Sequence, residues 1–182
     1  NVKNFILISS DKAVNPTNFM GASKRISELL CQTAATKQKQ TNFAIVRFGN
    51  VLGSSGSVIP LFKRQISAGG PVTVTNDKVS RYFMTLTEAA QLVIQAGSIS
   101  EGGEIFVLDM GESTKIIDLA KKVIILSGKK PVFGKSEEKQ DNDILIKITN
   151  LKHGEKMFEE LTYSNEQLET INPRIMKVFE PI

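Results

Sequence analysis

The chain is 182 residues long, 41% hydrophobic and 23% charged, with a formal net charge of +4 at pH 7. This composition supplies a buried core and excludes wholesale disorder. A single cysteine and a single histidine exclude an internal disulfide and a zinc-type ligand cluster. There is no apolar run of about eighteen residues, hence no candidate transmembrane helix.

The apolar run at residues 5–8, "FILI", ends in Ser9-Ser10 and predicts a buried parallel strand. Asn15-Pro16-Thr17-Asn18 offers turn and capping chemistry ahead of a helix over about residues 19–39. Cys31 falls in the apolar pattern of that helix and reads as a buried, reduced thiol. A second buried strand at 43–48, "FAIVRF", empties into the glycine-serine loop "GNVLGSSGS". Residues 58–68 are apolar at helical spacing and are stopped by Gly69-Gly70-Pro71; 72–75, "VTVT", alternates at strand period.

Thr85-Leu86-Thr87-Glu88 fits a capping box before a helix through 89–97. A strand at 104–111 and an amphipathic helix over 113–128, closed by Gly128, follow. Residues 135–143, "KSEEKQDND", predict an exposed loop, 144–148 a last strand, and the chain after "LKHGEKMFEEL" a C-terminal helical segment. Strands alternating with helices argue an α/β fold with mainly parallel pairing. No G-x-G-x-x-G opens the chain, so the expectation is the back part of a longer protein whose phosphate-binding half precedes it. The lysine pairs Lys121-Lys122 and Lys129-Lys130 lack aromatic interleaving; solvated helix faces account for them, and nucleic-acid binding is not expected.

Three constellations carry candidate chemistry. Ser10-Asp11-Lys12 stands at the C-terminal end of a strand, where open α/β sheets bind ligands, with Lys24 reachable from the next helix. The loop after the second strand holds Asn50 among small residues that let backbone amides approach a ligand. Arg81 and Lys152 are cations suited to a diphosphate, with Glu155 suited to ribose hydroxyls. Each has a plainer reading, as a capped turn, a glycine-rich turn and surface charge.

Together the strings "SSDKAVNPTNFMGASKR", "RFGNVLGSSGSVIPLFKRQI", "GGPVTVT", "SRYFMT", "EIFVLDMG" and "LKHGEKMFEEL" resemble the bacterial UDP-N-acetylglucosamine 4,6-dehydratases of polysaccharide biosynthesis. These belong to the extended short-chain dehydrogenase/reductase superfamily, and the resemblance runs over essentially the whole chain. It is closest to the branch in which methionine replaces the superfamily's catalytic tyrosine, here at Met20.

The resemblance implies the C-terminal part of a Rossmann-type doubly wound parallel sheet plus a small α/β substrate-binding subdomain. Residues 1–56 would form the second half of the dinucleotide-binding sheet, and 57–182 mainly the nucleotide-sugar subdomain, with about 80–110 returning to the sheet. The implied reaction converts a UDP-N-acetylhexosamine to a UDP-4-keto-6-deoxy sugar with NAD or NADP. Ser10 would hydrogen-bond the C4 oxygen, Asp11 would protonate the departing C6 hydroxyl, and Lys12 would take the C5 proton. Lys24 would hold the nicotinamide ribose, with Phe48, Gly49 and Val51 flanking the nicotinamide. Asn50 and Ser57-Val58-Ile59-Pro60 would meet the UDP-sugar, and Thr73, Val74 and Thr75 would frame the uracil.

The family's "RPGEK" stands here as Lys152-His153-Gly154-Glu155-Lys156, which keeps a charge but loses the bidentate fork. Met20 has no titratable proton, so acid-base work at the C4 hydroxyl falls to Lys12, Asp11, a bound water or Lys24. The resemblance also implies a homo-oligomeric full-length protein on the cytoplasmic side of a membrane anchor, and a fragment inactive alone. The rivals are a nucleotide-sugar epimerase on the same fold and a non-catalytic UDP-sugar-binding module; for a nucleic-acid-binding domain only the positive charge speaks.

Overall fold

A computed structural model describes residues 2–134, 140–163 and 167–180. The chain opens with β1 (Asn4–Ile8), whose end runs into a 3-10 turn at Asp11–Ala13 and then α1 (Phe19–Lys37). Asn18 caps α1 by accepting a hydrogen bond from the Gly21 amide at 2.9 Å. β2 (Asn42–Arg47) returns parallel to β1 in unbroken register, Asn4 beside Asn42 and Ile8 beside Val46. Next come β3 (Asn50–Val51), α2 (Val58–Ser67), β4 (Val72–Val74), β5 (Ser80–Arg81) and β6 (Phe83–Met84). α3 (Leu86–Ile99) begins on the predicted capping box: Thr85 Oγ1 accepts from the Glu88 amide and Glu88 accepts from the Thr85 amide. β7 (Ile105–Leu108), β8 (Thr114–Lys115), α4 (Ile116–Leu126), β9 (Lys130–Val132), β10 (Asp143–Ile148), β11 (Gln167–Glu169) and β12 (Ile175–Val178) complete the order.

Two sheets organise these elements. The larger has five strands in the order β1-β2-β7-β12-β11, with β1, β2 and β7 parallel and β12 and β11 antiparallel. α3 covers one face around Ala44, Phe106 and Leu108; α1 covers the other around Cys31, Ile45 and Val107. The smaller sheet, β4-β10-β9, is parallel and shares a core with α2 and α4, centred on Phe62, Val72, Ile124 and Ile146. Because the carboxyl ends of β1, β2 and β7 point the same way, the loops after them converge where ligands bind in open α/β sheets.

Three expectations need correction. The first strand is not buried: Phe5 is 46% and Ile8 41% exposed, because β1 is an edge strand paired on one side only. The C-terminal helical segment is instead β11 and β12. Ile175 and Val178 mimic a helical spacing of three because the sheet is covered on both faces; Ile175 enters the α3-side core and Val178 the α1-side core. Of the predicted loop at 135–143, residues 135–139 lie outside the described residues, and Asp143 is buried as the first residue of β10, accepting from the Gln140 amide at 3.1 Å.

Candidate functional site

Ser10, the cap of the 3-10 turn, accepts from the Lys12 amide at 3.3 Å and donates to Asp11 Oδ1 at 2.8 Å. This turn lets three consecutive residues face one point. Asp11 is fully buried; its Oδ1 also accepts from Lys12 Nζ at 2.9 Å, while Oδ2 has no hydrogen-bond partner. Lys12 Nζ reaches Asn50 Oδ1 at 3.3 Å, which joins the first two predicted constellations. The close approach of the turns after β1 and β2 depends on Gly49, whose absent Cβ would lie 2.9 Å from Tyr82 Cβ and 3.3 Å from Asp11 Oδ2.

These groups open into a cleft of about 760 Å³ between the two sheets. On the larger sheet's side stand Ser10, Lys12, Met20, Gly49, Asn50 and Val51. On the other side are Ser57 and Val58 at the start of α2, Thr73, Val74 and Thr75 of β4, and Arg81, Lys152 and Glu155. Asp11 lies beneath the floor. Phe48 packs into the α3-side core, and Ile59 and Pro60 turn out of the lining. Lys24 also stands outside the lining, donating to the Ile8 carbonyl at 3.1 Å at the end of β1.

The third constellation is arranged differently from expectation. Arg81 is buried and spends its guanidinium on the protein, donating to the carbonyls of Ser80 (2.7 Å), Met157 (3.2 Å) and Lys156 (2.8 Å) and to Glu155 Oε1 (3.4 Å). It holds the irregular segment 151–161 in place while its side chain still lines the cleft. Glu155 is itself fixed by Thr75 Oγ1 at 2.9 Å and by the Lys152 amide at 3.2 Å. The same segment straps across the turn that carries Ser10, Asp11 and Lys12: Thr17 and Asn18 donate to the Gly154 carbonyl at 2.8 and 3.1 Å, and Lys156 Nζ to the Val14 carbonyl at 2.7 Å.

Two features escaped sequence reasoning. Glu159, buried beside Lys12 and Arg81, sits in a stretch with no regular periodicity to say which of two adjacent glutamates turns inward. Arg47 at the end of β2 is fully buried and bonded to Glu28 of α1 and Glu180, with Ser9 and Arg25 also on Glu28. Burial pushes the Glu28 carboxyl up, but the Arg47 hydrogen bonds and charge, with Ser9 and Arg25, outweigh it and hold the group below its ordinary range. Burial and the Glu28 charge push the Cys31 thiol up to about 11, which suits packing and not nucleophilic attack.

The parallel strands β1, β2 and β7, with helices on both faces and a cleft at their carboxyl edge, make a Rossmann-type α/β arrangement. Solved nucleotide-sugar epimerases and dehydratases that hold NAD have this fold at 14–17% identity. The chain belongs to the polysaccharide biosynthesis protein family, whose model matches residues 1–180. It is 53% identical over 181 residues to the capsular polysaccharide biosynthesis protein CapD of Staphylococcus aureus, covering 100% of this chain and 28% of that protein. It is 35% identical over 167 residues to a UDP-glucose 4-epimerase of Rickettsia akari, covering 91% of this chain and 45% of the relative. The solved structure of Pen from Bacillus thuringiensis matches with a TM-score of 0.84 and 38% identity, covering 100% of this chain and 54% of that one. The chain thus spans between about a quarter and half of the length of these proteins. Among the described residues no helix is long and apolar enough to cross a membrane.

Proposed function

We propose that the full-length protein dehydrates a UDP-N-acetylhexosamine, UDP-N-acetylglucosamine first among candidates, to a UDP-4-keto-6-deoxy sugar for surface polysaccharide. The observation that carries this is the turn Ser10-Asp11-Lys12, which presents a hydroxyl, a buried carboxyl and an amine at one end of the cleft. A nicotinamide cofactor, when bound, supplies reversible hydride transfer between C4 and C6. The wall formed by Met20, Gly49 and Val51 beside Ser10 fits its ring, with Phe48 behind and Lys24 toward its ribose.

Ser10 hydrogen-bonds the C4 oxygen. Once C4 is a ketone the C5 proton is acidic, and Lys12 takes it as general base; Asp11 gives the C6 hydroxyl the proton with which it leaves as water. Thr73, Val74 and Thr75 frame the uracil, Asn50, Ser57 and Val58 meet the sugar and diphosphate, Lys152 adds charge and Glu155 takes ribose hydroxyls. The reading places the work in the cytoplasm, in a homo-oligomeric and membrane-anchored full-length protein, with this chain alone lacking turnover.

A second reading, nucleotide-sugar 4-epimerisation, draws on the 35% identity to the Rickettsia epimerase. The test is NMR of the product formed by the full-length protein from UDP-N-acetylglucosamine. Signals of a C6 methyl group and a hydrated C4 ketone are expected. A C4 epimer that retains its C6 hydroxyl would replace the first reading by the second.

A further inference from the structure

Two consecutive glutamates, Glu159 and Glu160, take opposite environments. Glu160 is exposed, accepting from Asn15 and Lys156 at 3.1 and 3.4 Å. The Glu159 side chain is 4% exposed and lies beneath the cleft. Its Oε1 stands 3.7 Å from both Lys12 Nζ and Arg81 Nε, and its Oε2 is buried with no hydrogen-bond partner. A buried carboxylate with one idle oxygen is costly, so its position needs a compensating charge. Arg81 supplies it.

From the side of Lys12, Nζ faces Asp11 Oδ1, Asn50 Oδ1 and Glu159 Oε1. Asp11 is the adjacent residue and Asn50 is neutral. Glu159 is therefore the one charged group on Lys12 that comes from the strap, 147 positions away in the sequence. A lysine on a four-carbon stem does not hold one direction unaided.

We propose that Glu159 is a positioning residue: reaching down from the strap and braced by Arg81, it fixes the amine of Lys12 in the floor of the cleft. This rests on Lys12 being the C5 base, and it adds a group that does not itself line the cleft.

The experiment compares Glu159→Gln and Glu159→Asp with the wild type in the full-length protein, by two readouts. Competitive acetylation followed by peptide mass spectrometry reports the availability of the Lys12 amine, with Lys24 and Lys152 as internal references. Glu159→Gln, close in shape but uncharged, should raise Lys12 labelling about fivefold over the references, and Glu159→Asp should raise it less. Steady-state kinetics with UDP-N-acetylglucosamine should show kcat and C5 deuterium exchange falling about tenfold to a hundredfold in Glu159→Gln with KM unchanged. Unaltered Lys12 labelling overturns the proposal. So does labelling that rises equally at all three lysines, or a loss expressed mainly in KM, since either describes general loosening. If the wild-type product is an epimer, the dehydratase reading falls while the labelling result stands on its own.

Discussion

At the scale of single residues, Met20 separates this site from dehydrogenases with a tyrosine there. It is 48% exposed, on the cleft wall, and has no proton to give. If another group accepts the C4 proton, Met20→Tyr adds a redundant phenol and turnover stays level or falls, while Met20→Leu keeps most activity. Steady-state rates decide; a large gain for Met20→Tyr would mean that the native site lacks a base at C4. Lys12→Ala should remove C5 deuterium exchange by a factor of about 10² to 10⁴, the usual loss for a general base. Near-normal exchange would assign that proton elsewhere. At this scale the grouping of Ser10, Asp11 and Lys12 at the cleft was legible, because the three are consecutive and a strand end aims them. The orientation of Arg81 was not, since three of its four protein acceptors belong to a segment 70 or more positions later.

Elements were legible where local chemistry decides them. The start of α3 could be read from four letters, and its capping box is present in both halves. Hydrogen bonds from the Thr85 hydroxyl and amide, and then the Arg174 guanidinium, hold the exposed Glu88 carboxyl at about 2. Thr85→Ala should cost about 1 kcal/mol, read as a shift of the urea midpoint without a change of slope. The strap at 151–161 has no such local signal; it is shaped by contacts with the turn at Thr17-Asn18. Gly154 has φ +76°, and a Cβ there would lie 2.7 Å from the Thr17 carbonyl oxygen. Gly154→Ala should therefore lift the strap, raising KM for the nucleotide sugar while leaving the urea midpoint of the larger sheet close to wild type. An unchanged KM would show that the strap does not shape the substrate side. The two strands at the C-terminus were illegible for another reason: burial on both faces erases the alternation by which a strand is recognised.

The whole molecule is held behind the site by Arg47, Glu28, Arg25 and Glu180. Arg47→Met should cost about 3–5 kcal/mol, because it leaves the buried carboxylates of Glu28 and Glu180 with Arg25 in place of two cations. The same cluster gives an acid limb to stability. Glu28 titrates lower in the folded chain than its ordinary 4.5, so its contribution is complete above about pH 5 and is lost as the pH falls below 4.5 toward the folded value. The urea midpoint should stay level between pH 7 and 5 on this account and fall from pH 5 to 4, with a shallower fall in Glu28→Gln; parallel curves would remove Glu28 from the account.

Arg47 and Glu180 are 133 positions apart, and Val14 and Lys156 are 142 apart. A ribosome delivers the first of each pair long before the second. Until the last strands emerge, β7 lacks its neighbour β12 and Arg47 faces Glu28 alone. The nascent chain therefore keeps the turn at Asp11–Ala13 without its strap, waiting and unfinished, until the segment at 151–161 has been made. Chains arrested with residue 150 outside the exit tunnel should be cut readily by protease within 1–50, and chains arrested with residue 182 outside should not. Early protection would show that the turn completes itself without the strap and without Glu180.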